Sequence, residues 1–227
     1  MLREAGFHNQ FTGGWKQFNK TGNRLAGRAV TARFMPLRPD TEAVIKSHAA
    51  REGRVGPGQQ SWVIDTLQPG DIFVADLYGK IIVIGDNLAT SIFTKSGNGA
   101  VINGGIRDLT GILKIDGFQG YYRFADPGVF ENSMLMGINV PIRIDNATIM
   151  PGDVVLGDPE GVTFVPPQLA EKIVVTAEDI HLRDEWSHLR LRQGKYTPGQ
   201  IDSRWSPEME ADFHKWIQTH KKNASSN

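Results

Sequence analysis

Cysteine is absent from the 227-residue chain, which excludes disulfides, thiolate nucleophiles and cysteine-held metals. An excess of either charge is missing too. Lys plus Arg and Asp plus Glu each total 25, so no electrostatic case exists for nucleic acid or an acidic membrane surface. No apolar run approaches the ~20 residues that span a bilayer. The start, Met1-Leu2-Arg3-Glu4-Ala5-Gly6, lacks the apolar core of a signal peptide. The expectation is a soluble, cytoplasmic protein that engages neither nucleic acid nor membrane. Familiar catalytic signatures are lacking as well: there is no G-x-x-x-x-G-K-[ST] loop, no G-x-S-x-G elbow and no His-Glu-x-x-His pattern. Gly97-x-Gly99 precedes its strand instead of following one, so it fails as a dinucleotide fingerprint.

Glycine is plentiful at 25 residues, which suits short strands joined by tight turns. The length allows one large domain, or one domain with extensions, with a full core. The chain centres on residues 85–108. Gly85-Asp86-Asn87 ends the apolar run Ile81–Ile84 and supplies capping side chains for a helical stripe of Leu88, Ile92 and Phe93. Gly97-Asn98-Gly99 stops that helix, and Ala100-Val101-Ile102 reads as a short buried strand. Gly104-Gly105 then allows a sharp turn before Ile106-Arg107-Asp108. Two loops thus follow two strands on one side of a presumed sheet, where open α/β sheets bind ligands. One loop opens a helix with free N–H groups at Leu88 and Ala89, suited to a carboxylate or phosphate. The other places a cation and an anion together, Arg107 and Asp108. That combination points to an anionic substrate and a metal.

Around this centre, residues 27–34 read as a strand, 40–51 as a helix, 54–60 as a loop that is either a connector or a lid, and 61–67 as a short helix. Residues 72–75 and 81–84 read as strands, 109–115 as a short helix, 120–124 as a strand, and 126–137 as a loop. A β-meander is expected over 141–165, with Asp-Asn, Pro-Gly and Glu-Gly turns. Leu169, Ile173, Val174, Ala177, Ile180 and His181 share one stripe of a helix from 167 to 192. Residues 196–199 read as a linker, and Ser206-Pro207-Glu208 opens a last helix. At the start, Phe11 and Trp15 should tuck a polar segment against the surface.

Each candidate has a plainer reading beside it. An arbitrary Arg-Asp dipeptide is a surface ion pair; the preceding Gly-Gly and the spacing to Asp86 favour a site for Arg107 and Asp108. On local grounds Asp86 is equally a helix cap, a task Asn87 also suits. Asp71, Asp76, Asp153 and Asp158 sit in turns where aspartate is structurally expected. His181 and His188 belong to a solvated helix face.

Gly-Asp-Asn-Leu-Ala at 85–89, then Gly-Gly-Ile-Arg-Asp at 104–108 with Arg107 lying 21 positions after Asp86, resembles the RraA-like family. That family holds the 4-hydroxy-4-methyl-2-oxoglutarate aldolases and the regulator of ribonuclease E activity. Three flanking pieces agree in order: residues 25–31, 69–76, and 151–158 running on to Gly161-Val162. The resemblance spans about residues 24–175. It implies an α/β fold, a swivelling β/β/α sandwich, with residues 24–166 as the core, 167–227 as a helical extension and 1–23 as a shortened N-terminal segment. It also implies a homotrimer or stacked hexamer with sites at subunit interfaces, and some relatives complete the metal shell with a neighbour's acid. The implied activity is carbon–carbon lysis of a 2-oxo acid, either aldol cleavage or oxaloacetate decarboxylation, through a pyruvate enolate. Arg107 would hold the substrate and stabilise the enolate, and Asp86 would move a proton through water. Asp108 would hold Mg²⁺ or Mn²⁺, while Gly85, Asn87, Leu88 and Ala89 would line the substrate. The alternative within the same family is a regulator that binds a ribonuclease without turnover.

Overall fold

The structure, a computed structural model, describes residues 1–18, 24–54, 56 and 58–224. Residues 19–23 of the expected N-terminal segment, and Val55 and Pro57 of the 54–60 loop, lie outside that set. The chain divides into two compact units, Met1–Gln168 and Leu169–Asn227.

The first unit runs β1 (Phe11–Thr12), β2 (Lys16–Gln17), β3 (Leu25–Pro36), α1 (Pro39–Arg51), α2 (Gln59–Ile64), β4 (Asp71–Asp76), β5 (Ile82–Ile84) and α3 (Asp86–Ser96). It continues with β6 (Ala100–Ile106), α4 (Leu109–Ile112), β7 (Gly120–Ala125), β8 (Ser133–Ile138), β9 (Ile142–Ile144), β10 (Ala147–Ile149), β11 (Val154–Gly157) and β12 (Val162–Val165). Then follow α5 (Pro167–Arg192), α6 (Pro198–Ile201) and α7 (Pro207–Ala224).

The fold is mixed α/β around one large mixed sheet. Its order is β1-β12-β11-β3-β4-β6-β7-β2, with β5 added on β6 and β8 on β3. The centre, β3-β4-β6-β7, is parallel, and β11, β12 and β1 are antiparallel additions. Central strands buried on both faces read as unbroken apolar runs. Their alternate residues divide between two cores. Phe73, Ala75 and Ile102 pack with Trp62 of α2 and Ile92 of α3, whereas Ile72, Val74 and Val101 pack with Ile142, Ile144 and Ile149. Helices therefore cover one face, and the β9–β10 hairpin covers the other.

Several expectations change. The meander is two separate hairpins: β9–β10 forms its own two-stranded sheet, while β11–β12 joins the large one. The supposed loop 126–137 contains most of β8, which pairs antiparallel with the end of β3, Leu135 opposite Phe34. Gly104-Gly105 makes no turn: β6 continues through it to Ile106, with a register shift against β7 between Ile102 and Gly105. Those glycines serve close packing: a Cβ at Gly104 would lie 2.5 Å from the Ile81 carbonyl, and one at Gly105 2.5 Å from the Phe124 ring. Of Phe11 and Trp15, Trp15 alone tucks in, under the Arg123 guanidinium at 3.6 Å and against Tyr121, while Phe11 is 53% exposed. Phe18 is the segment's other anchor, buried against Tyr122.

The second unit is held by Trp186, Met209 and Phe213, with Leu182, Tyr196 and Trp205 around them. This corrects the expected stripe on α5. Leu182 and Trp186 pack, whereas Val174 and Ile180 stay exposed. Residues 196–199 are no linker either: Thr197 and Gln200 form a capping box that opens α6. Ser206 does cap α7, its Oγ accepting the Met209 N–H at 3.3 Å.

Arg190 clamps Asp212 through Nε at 2.6 Å and Nη2 at 2.9 Å, with Lys195 Nζ 3.0 Å away. Burial disfavours the Asp212 carboxylate, but the Arg190 and Lys195 contacts outweigh it and hold its pKa below the usual value. A depressed carboxylate pKa contributes stability above the unfolded pKa, about 3.9, and loses it as pH falls through the folded value. Asp212→Asn is therefore expected to cost about 1–3 kcal/mol at pH 7, because it leaves a largely buried Arg190 without its counter-charge. The variant should also lose part of the acid dependence seen below about pH 4. Tryptophan fluorescence during urea unfolding at pH 7 and pH 3 checks both.

Candidate active site

β5 and β6 end side by side, tied by the Arg107 N–H donating to the Ile84 carbonyl at 2.9 Å. The pairing register shifts between Ile82 and Ile84, a bulge of the kind that re-aims side chains beside sites. The residues after each strand, Gly85 and Arg107–Asp108, are thereby brought together. Any side chain at Gly85 would overlap Asp108 Oδ2 and come within 3.0 Å of Arg107 Nε. Glycine is needed there for that approach, not for an unusual backbone angle.

A cavity of about 260 Å³ opens at this edge. Gly85, Asp86, Asn87, Leu88, Arg107 and Asp108 all line it. Ala89 does not. It is wholly buried, and its N–H bonds the Gly85 carbonyl at 3.0 Å, so the expected free donor at Ala89 is corrected. The reason is that α3 starts earlier than its sequence reads. Gly85 is the N-cap and Asp86 the first helical residue, so Ala89 closes the first helical bond. The Asn87 N–H is taken by Asp86 Oδ1 at 2.8 Å. The N–H groups of Asp86 and Leu88 are left without an acceptor among the described residues.

Asp86 thus stands inside the helix, not at its cap. Its Oδ2 makes no hydrogen bond among the described residues and rests against Gly111, where a Cβ would come within 2.5 Å of it. Asp108 does occupy an N-cap position, that of α4, in the left-handed conformation with φ 53°. Its backbone carbonyl receives the Gly111 and Ile112 N–H groups at 2.8 and 3.0 Å, yet its carboxylate caps nothing. An aspartate at an N-cap ordinarily spends its carboxylate on the helix. Here Oδ2 is turned toward Arg107, 3.4 Å from Nε. The terminal guanidinium nitrogens of Arg107 have no partner among the described residues. The site therefore presents a free guanidinium fork, two carboxylates with open oxygens, and a helix N-terminus.

Hard divalent cations fit this donor set. Every charged ligand offered is a carboxylate oxygen, from Asp108 and Asp86, with no imidazole or sulfur in the lining. Among the described residues no group of three His, Cys, Asp or Glu gathers anywhere, so an ion here would keep mostly water in its shell, as Mg²⁺ does.

The other aspartates are structural. Asp71 pairs Arg28 at 2.7 Å and accepts the Gln68 N–H; Asp76 accepts from Tyr78 and Asn103. Asp153 caps Met150, and Asp158 accepts from Glu160 and Gly161. His181 pairs with Glu185 at 3.2 Å on an exposed face. Sequence reasoning missed Gly58, Gln60, Val129 and Phe130 in the cavity wall. They come from loops and a short helix remote in sequence, and the only hint was the open lid reading of 54–60. No helix among the described residues is long and apolar enough to cross a membrane.

Comparison with known proteins places the chain in a family. The RraA-like family, described as Aldolase/RraA, matches residues 2–164. A Halalkalibacterium halodurans protein named "Putative 4-hydroxy-4-methyl-2-oxoglutarate aldolase" is 28% identical over 161 residues, 69% of this chain and 75% of that one. Streptomyces coelicolor RraAS2, described as an unusual member of the RNase ES inhibitor RraA protein family, superposes with a TM-score of 0.68 at 27% identity. That match covers 83% of this chain and 89% of the other. A Pseudomonas syringae pv. tomato protein shares the fold with a TM-score of 0.71 at 23% identity, over 88% and 84% of the two chains.

Proposed function

The chain belongs to the RraA-like family, and from that premise we propose that it is a divalent-metal-assisted carbon–carbon lyase that releases pyruvate from 2-oxo acids. The observation that carries this reading is the pairing of an unspent Arg107 guanidinium with an Asp108 carboxylate that caps nothing, in one small cavity. The name borne by the H. halodurans relative supports aldol cleavage of a 4-hydroxy-2-oxo acid as the natural chemistry.

Aldol cleavage breaks the C3–C4 bond, leaves the electron pair on C3 as an enolate, and turns the C4 hydroxyl into a carbonyl. Decarboxylation of oxaloacetate breaks the equivalent bond and releases CO₂. Both demand stabilisation of charge that develops on the 2-oxo oxygen. The planar fork of Arg107 matches the C1 carboxylate and the 2-oxo oxygen together. The free N–H groups at the start of α3, that of Leu88 above all, would donate to the remaining carboxylate oxygen. Asp86, through a water, would take the C4 hydroxyl proton and return one to C3. Asp108, with Asp86 near it, would hold Mg²⁺ or Mn²⁺, which when bound supplies Lewis-acid polarisation of the 2-oxo group.

Pyruvate release from a panel of 2-oxo acids tests the proposal. Activity should disappear in excess chelator and return with Mg²⁺ or Mn²⁺. Full turnover in chelator would remove the role given to Asp108. The S. coelicolor relative supports a second reading, a binding protein of the RNase-inhibitor kind. A metal-replete protein that releases pyruvate from no member of the panel would favour it.

A further inference from the structure

Two glutamines stand side by side at the start of α2, and the fold treats them differently. Gln59 is buried and engaged at both ends. Its Nε2 donates to Glu42 Oε1 at 3.1 Å, and its Oε1 accepts the Leu135 N–H at 2.6 Å. It ties α1, α2 and β8 together, which is a structural task. Gln60 has no such task. Its Oε1 is shut away from solvent without a hydrogen-bond partner. Its Nε2 has no acceptor among the described residues and is not enclosed with Oε1, and the side chain is part of the cavity wall. The carboxamide lies over Gly58, where a Cβ would come within 3.0 Å of Oε1 and 3.1 Å of Nε2. A buried, unpaired amide oxygen costs stability, so packing gives no reason for this side chain. Outside Gly85–Leu88 and Arg107–Asp108, Gln60 is the one described wall residue with a polar side chain.

Resting on the lyase reading above, we infer that Gln60 donates to the C4 oxygen of a 4-hydroxy-2-oxo acid and steers the cavity toward aldol cleavage over decarboxylation. The reason is the direction in which charge moves. In aldol cleavage the C4 hydroxyl loses its proton, and negative charge gathers on that oxygen. Its electron pair then forms the new C=O as the C3–C4 bond breaks. An N–H donor at that oxygen stabilises this path. In oxaloacetate the C4 carboxylate begins with a full charge and loses it as CO₂ departs and C3 keeps the pair. The same donor then holds the ground state more strongly than the transition state and slows the step. One N–H acts in opposite directions on two reactions that share an enolate.

Initial rates on 4-hydroxy-4-methyl-2-oxoglutarate and on oxaloacetate, with Mg²⁺ present, test this in wild type, Gln60→Met and Gly58→Ala. Gln60→Met keeps the side-chain length and removes the amide. Its ratio of kcat/KM, hydroxy acid over oxaloacetate, should fall at least ~10-fold, toward the ~10²-fold scale of one lost oxyanion donor. The kcat on oxaloacetate should rise, and the melting temperature should hold or rise. Gly58→Ala, at a backbone φ of −91° that any residue accepts, crowds the same amide and should move the ratio the same way. An unchanged ratio in both folded variants overturns the inference. So does a lowered melting temperature for Gln60→Met with the ratio unchanged, which makes Gln60 a packing residue. A wild type that releases pyruvate from neither acid overturns the lyase reading and takes this role with it. That outcome is read on the unmutated protein and stays distinct from the other two.

Discussion

Arg107→Ala is expected to lower kcat at least ~10²-fold and to raise KM in the same protein, the scale for one lost oxyanion-stabilising donor. The two constants should move together because a single group faces both the ground-state carboxylate and the forming enolate. Folding should be almost unaffected. The Arg107 side chain has Asp108 at 3.4 Å as its partner, and both are more than two-fifths exposed, so that pair contributes little to stability. The β5–β6 junction keeps its backbone bond, from the residue 107 N–H to the Ile84 carbonyl, in any substitution but proline. Arg107→Lys should rescue poorly, since an ammonium cannot reproduce the bidentate fork. Asp86→Asn serves as the companion measurement. An asparagine oxygen can still accept the Asn87 N–H, so the melting temperature should hold while turnover falls. Steady-state kinetics with thermal melts on the same samples reads both. Turnover by Arg107→Ala within threefold of wild type would sink the assignment.

The largest expected stability effect belongs to Gly99→Ala, a loss of about 3 kcal/mol or more, set by overpacking against rigid backbone. A Cβ at Gly99 would overlap the Gln119 carbonyl oxygen and lie 2.6 Å from its carbonyl carbon. Gln119 cannot give way, because that same carbonyl accepts the Ala100 N–H at 3.1 Å, and the next residue opens β7 beside β6. Gly97, two residues earlier, is the contrast. It ends α3 in the left-handed conformation at φ 64°, and a Cβ there would meet nothing within 4 Å. Gly97→Ala should therefore cost only the left-handed penalty, about 1–2 kcal/mol. Urea unfolding of the two variants side by side checks the order. Equal losses would mean that the Gly99 contact is not the rigid one.

In sequence, Gly97-Asn98-Gly99 reads as a single stop signal. The three residues do three things: Gly97 turns the helix, Asn98 reaches the Ala26 carbonyl through Nδ2 at 2.8 Å, and Gly99 makes room for Gln119. Local chemistry shows that a helix must end there. It does not show which segment passes close by, 20 residues later. The same limit hid β8. Residues 126–137 carry Pro127, Gly128 and Asn132, which mark a turn, and Ser133–Ile138 becomes a strand only because β3 extends far enough to pair with it. On α5 the apolar stripe was legible, yet the packing fell on Leu182 and Trp186, because Tyr196 and Trp205, which flank α6, and Phe213 of α7 lie there.

By itself the sequence determined the succession of strands and helices around residues 71–108, and that Asp86, Arg107 and Asp108 follow the ends of β5 and β6. Periodicity, turn residues and short-range spacing are properties of neighbours along the chain, and they survive without a fold. Tertiary structure alone decided that Ala89 closes a helix bond, that Asp108 leaves its own helix uncapped, and that Gln60 and Phe130 share a cavity with Arg107. The first two turn on where each helix begins, and the last on which groups meet across long stretches of chain. That is settled by packing and by the pairing of backbone groups, which residue types do not spell out in order.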